Sequence, residues 1–125
     1  MNNTEAIELI RKIDEQLNKR LGFVNHNTRE MPAVFRRMAY YELLYGLLDL
    51  KSSQNIGRVV GLALCRGKIF DHATVIHARQ KSAVFTEVND KYYLSVLSAV
   101  YAAYNDLNSN YTEEIERSFI DGIFA

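Results

Sequence analysis

The stretch Gly61 to Ile69, GLALCRGKI, sets a glycine ahead of a Gly-Lys pair, the residue types that cradle a nucleotide phosphate in a P-loop. That motif needs four residues between its glycines and a Ser or Thr after the lysine to reach magnesium. Here five residues intervene and Ile69 follows, so nucleotide binding is set aside. His72 and His77 are five apart and would point about 140° from each other on a helix, with His26 far away in sequence, so they form no metal site and no cofactor is expected. Cys65 is the single cysteine, with no partner for an internal disulfide or a metal-ligand pair, and reads as a small buried apolar residue rather than a nucleophile. Tyr40, Tyr41, Tyr45, Tyr92, Tyr93, Tyr101 and Tyr104 recur at helical spacing, as core and groove-edge residues rather than a platform for stacking bases. No constellation supports an enzyme.

Charge gives a stronger signal than catalytic chemistry. The chain carries 15 basic and 15 acidic residues, but they are segregated. Residues 1–50 balance seven of each. Residues 51–81 hold six bases (Lys51, Arg58, Arg66, Lys68, Arg79, Lys81) against Asp71 alone, a net of +5, and residues 82–125 hold two bases against seven acids, a net of −5. The middle is a candidate anion-binding surface. The alternative is that the two segments attract each other inside the fold or across a dimer.

The elements that hold these residues read as helices throughout. One proline and six glycines leave long helices unobstructed. Ile7, Ile10, Ile13, Leu17 and Leu21 mark an amphipathic helix over 4–21, capped by Asn3 or Thr4. After a polar stretch from Gly22 to Met31, Pro32 suits the first turn of a second helix at about 33–49. Ser52 and Ser53 cap a third helix that ends before Arg66 and Gly67. Asp71 caps a fourth over 71–84, a fifth spans Val88 to Asp106, and a short sixth opens at Thr112. The expectation is all-α: one domain, 1–125, a compact bundle of about six helices with a helix-turn-helix at about 52–82. No apolar run approaches the 18 or so residues of a membrane span, MNNTEAIELI does not read as a secretion signal, and a cytoplasmic protein with no membrane partner is expected.

Within that motif, Asp71-His72-Ala73-Thr74-Val75-Ile76-His77-Ala78, followed by Lys81, resembles the opening of the recognition helix in the C-terminal DNA-binding domain of the bacterial replication initiator DnaA. The family pattern is Asp-His-Thr-Thr-Val, an aliphatic residue, then His-Ala. Ser52, Ile56, Gly57, Arg58 and Gly61 resemble that domain's preceding helix, and Arg37-Met38-Ala39 through Leu43 and Leu44 the helix before it, so the likeness spans roughly 36–81. Residues 62–70 exceed the family's usual spacing from glycine to aspartate, Ala73 stands for the first threonine, and Phe70 for a basic residue. The family's ATPase module has no room in this chain.

The resemblance implies sequence-selective binding of double-stranded DNA, in replication initiation, its control, or transcriptional regulation. Asp71 would accept from a cytosine amino group, His72 would donate to a base acceptor, and Ala73 would meet a thymine methyl. Thr74, His77 and Lys81 match residues that hold the groove or phosphates. Lys51, Arg58, Arg66, Lys68 and Arg79 would add charge, with Arg29 the nearest match to an upstream minor-groove arginine. The bland alternative makes Asp71 an ordinary cap, Thr74 and His77 a solvated face and Lys81 a surface charge. The protein would then be a helical interaction module or a homodimer that has lost DNA binding.

Overall fold

The computed structural model describes the backbone of residues 1–65 and 67–124, with side chains through Ser109 except at Arg66. Helix α1 covers Asn3–Leu21; Asn2 caps it by accepting from the Glu5 N–H at 2.8 Å. Its stripe of Ala6, Ile10, Ile13 and Leu17 is buried, and Gly22, at φ 96°, leads the chain out in the left-handed region that favours glycine. Helix α2, Met31–Gly46, has Pro32 in its first turn and buries ten of its sixteen residues, because it packs against three other helices. Ser52 caps α3, Ser53–Leu64, accepting from Asn55 N at 3.2 Å. Arg11 of α1 closes the other end of α3 by donating to the Leu62 and Ala63 carbonyls at 3.1 and 3.2 Å, groups that a helix terminus leaves unpaired. Asp71 caps α4, His72–Glu87, and α5 runs Lys91–Phe124.

Among the described residues the fold is all-helical, with five helices and no strand. The expected fifth and sixth helices are one continuous helix, which corrects the count of about six. The Asn, Asp and Ser residues between Asn105 and Asn110 only weaken a helix, and no glycine or proline there stops it. None of the helices is long and apolar enough to cross a membrane among the described residues. Arg66 and the side chains of Glu113, Glu114 and Glu116 lie outside the described residues.

Helix α2 sits at the centre, against α3, α4 and α5, while α1 packs on α3 and α5. Tyr40, Leu43 and Leu44 of α2 meet Ile56, Val59 and Val60 of α3 and Tyr93 of α5 in one apolar core. Residues 68–70 of the connection to α4 lie back along the surface of α3. A Cβ added to Gly57 would lie 2.0 Å from the Phe70 carbonyl oxygen, and one on Gly61 would lie 2.0 Å from the Lys68 carbonyl oxygen. Phe70 N also donates to Gly57 O at 3.3 Å. These two glycines let main chain lie directly on a helix, and that contact sets where α4 begins. Residues 62–64 continue α3, and residues 67–70 lie in this folded-back connection.

Candidate functional site

The site rests on a buried polar framework. Asp14 of α1 is close to His26 in the loop between α1 and α2, with Asp14 Oδ1 2.9 Å from His26 Nε2, and Tyr40 donates its hydroxyl to the same oxygen at 2.5 Å. Arg36 approaches Asp14 at 3.7 Å and donates to Asn18 Oδ1 at 2.6 Å and Gly22 O at 2.5 Å. Burial pushes the Asp14 carboxyl up, but its hydrogen bonds and attraction to His26, Tyr40 and Arg36 outweigh that and hold it below the ordinary carboxylate range. The Tyr40 phenol is raised well above its usual value by burial, and then by the neighbouring Asp14 carboxylate. This network pins the loop that follows α1. Sequence reasoning passed over Asp14, Arg36 and Arg37, although one signal was present: Asp14 falls on the apolar stripe of α1, between Ile10, Ile13 and Leu17.

Against this framework lies a groove of about 570 Å³, bounded by the loop 26–29, by α2, by residues 68–71 and by α4. Arg29 stands on one wall. Lys68, Asp71, Thr74, His77 and Lys81 stand on the other, with Arg37 and Tyr41 between them, so the structure brings six of the expected residues to one concavity. Arg29, Lys68, Thr74, His77 and Lys81 are all exposed. Asp71 is exposed too, and its Oδ1 accepts the Thr74 N–H at 2.7 Å, a bond that lowers its carboxyl pKa. His72 and Ala73 lie exposed on the first turn of α4, outside the groove, and Arg58 is exposed on α3.

Two expected residues are held elsewhere. Arg79 pairs with Glu42 at 3.1 Å and stacks over Tyr45, its guanidinium carbon 3.5 Å from the ring centroid. Lys51 pairs with Asp49 at 3.1 Å, donates to Tyr45 O at 3.2 Å and covers the same ring at 4.2 Å. Both charges are therefore collected around Tyr45 rather than delivered to the groove.

Three cations (Arg29, Lys68 and Lys81) and a single exposed acid (Asp71) line the concavity, beside the N-terminus of α4, whose peptide dipoles also favour negative charge. Thr74 and His77 add hydroxyl and imidazole groups able to hydrogen-bond. Among the described residues, no cluster of His, Cys, Asp and Glu is arranged to hold a metal ion. Comparison with protein-family models, with curated proteins and with solved structures finds no match to this chain. The groove's own residues suit an extended polyanion: cations stand on both walls, and α4 adds exposed polar side chains to one of them.

Proposed function

We propose that the protein binds double-stranded DNA sequence-selectively, with α3 and α4 acting as a helix-turn-helix and the start of α4 entering the major groove. The observation that carries this reading is the exposure of α4. Only Val75 and Ser82 of its sixteen residues are buried, so Asp71, His72, Ala73, Thr74, His77 and Lys81 are free to meet a partner. His72 and Ala73 then address base edges, as do Asp71 and Thr74 beside them. Arg29, Lys68, Lys81 and Arg58 neutralise phosphates, which fix position without reading sequence. The resemblance of 71–78 and Lys81 to the DnaA recognition helix supports the same assignment, with a role in replication initiation, its control, or transcription.

The test is a selection of bound duplexes from random DNA, followed by fluorescence anisotropy of an enriched duplex and a scrambled one across a salt series. Enrichment of a common sequence, with affinity falling steeply as salt rises, supports the proposal. No enrichment, or binding indifferent to salt, removes it. A second reading, a helical interaction module or homodimer, is favoured by one feature: Phe23, 81% exposed, with Leu21 and Tyr92 also exposed around a separate concavity of about 410 Å³. A mass measurement in solution, with and without Phe23→Glu, separates it from a monomeric DNA binder.

A further inference from the structure

The two walls of the groove are about forty residues apart in the chain, and one side chain touches both. Arg37 lies on α2 and is only 8% exposed. Its Nη1 donates to His26 O at 2.9 Å and its Nη2 to Thr28 O at 3.0 Å, so the guanidinium grips the main chain immediately before Arg29. The same group lies against the Phe70 ring, 5.3 Å from its centroid, and Tyr41, one turn along α2, meets Phe70 edge-on at 6.4 Å. Phe70 sits between Lys68 and Asp71 and is itself tied to α3 through Gly57 O. Each wall also has an anchor of its own: His26 to Asp14 on one side, Phe70 N to Gly57 on the other. Arg37 and its neighbour Tyr41 lie between the two, and Cys65 at the end of α3 adds a weaker tie by donating its thiol to the same His26 O at 3.4 Å.

With its fork turned onto two carbonyls and its face on a ring, Arg37 is directed into the protein rather than towards a phosphate. For stability alone, an apolar side chain of similar volume often serves as well as a buried charge. A planar fork with two parallel donors supplies something an apolar chain does not, namely a fixed spacing between the carbonyls it binds and the ring it covers.

We propose that Arg37 is a positioning residue that sets Arg29 and the segment Lys68–Asp71 in one register, so that both walls engage the same duplex as a unit. This rests on the DNA-binding reading above. Arg29 then contributes its phosphate contact only while Arg37 holds the loop.

A double-mutant cycle on the duplex enriched by selection, followed by anisotropy between 50 and 200 mM salt, tests the coupling. Arg29→Ala removes one phosphate contact and lowers the slope of log affinity against log salt by about 0.9. Arg37→Met lowers it by the same amount, and the double variant lowers it no further, whereas Lys81→Ala adds its own loss to either. Losses from Arg29→Ala and Arg37→Met that add in full overturn the proposal. Arg37→Lys keeps the charge but lacks the fork and serves if Arg37→Met does not fold; it is expected to behave like Arg37→Met.

Hydrogen exchange on the DNA-free protein gives a readout independent of DNA. Arg37→Met or Arg37→Lys is expected to speed exchange at amides in both 26–29 and 68–71, leaving the buried stripe of α1 protected. Loosening of one wall alone, or of neither, overturns the coupling. If the wild-type protein binds no duplex, the DNA reading fails and the exchange result still decides whether Arg37 joins the two walls.

Discussion

Helices α2 and α4 are each sixteen residues long and pack against one another, yet α2 buries ten residues and α4 buries two. Their charges differ in the same way. Arg36 and Arg37 of α2 are buried and spend their donors on Asn18, Gly22, His26 and Thr28, while His72, His77 and Lys81 of α4 are exposed. Substitution at any of the ten buried positions of α2 disturbs packing. Helix α4 touches the core through little more than Val75, Ser82 and the partly buried Ala78 and Phe85, which leaves most of its surface open to a partner.

The contrast is sharpened first by truncation. Leu44→Ala in α2 should cost about 2–5 kcal/mol of unfolding free energy, whereas Ile76→Ala in α4, whose side chain is already 42% exposed, should stay within about 0.5 kcal/mol. Chemical denaturation measures both, and equal losses would erase the distinction between the helices. The seating of α4 depends on the main-chain contact below it, so Gly61→Ala should cost about 1–3 kcal/mol or more, because the new Cβ meets the Lys68 carbonyl oxygen rather than a flexible side chain. A Gly61→Ala protein with unchanged stability would mean that residues 68–70 move away freely.

The framework under the loop is open to a pH test. The folded-state pKa of Asp14 is depressed, so its stabilising contribution is present above the carboxyl's ordinary value of 3.8 and is lost as pH falls through the lower folded value. Asp14→Asn should lose about 1.5–3 kcal/mol near neutral pH, as expected for hydrogen bonds to a charged group, and should show a shallower fall in stability below pH about 4. An unchanged acid limb would detach Asp14 from the acid sensitivity of the fold. The smallest effects on stability are expected on α4 itself. His72→Ala and Lys81→Ala should each alter unfolding by no more than about 0.5 kcal/mol. On DNA, His72→Ala should erode preference among duplexes by about 1–3 kcal/mol, and Lys81→Ala should weaken all duplexes alike. Equal losses from both variants on selected and scrambled duplexes would remove the assigned roles.

Much of the scaffold is legible in the chain because local signals agree with tertiary position. The Ile10, Ile13, Leu17 stripe of α1 faces the core, and Ser52 and Asp71 cap α3 and α4 through the hydrogen bonds such residues make. The groove is legible in part. Thr74, His77 and Lys81 follow helical spacing from Asp71, but Arg29 joins them only through a loop fixed by long-range contacts. Arg79 and Lys51 show the limit of charge counting, since Glu42, Asp49 and the Tyr45 ring claim them, and no local pattern announces that. The burial of Arg36 and Arg37 is hidden for a related reason: α2 is enclosed on several sides, so its apolar and charged residues do not sort onto separate faces.

The most direct measurement is the salt dependence of binding to a selected duplex by the unmodified protein. Engagement through Arg29, Lys68, Lys81 and Arg58 predicts a slope of about −3 to −4 in log affinity against log salt, together with tighter binding to the selected duplex than to a scrambled one. A flat salt response, or equal affinity for the two duplexes, would contradict sequence-selective DNA binding through α4.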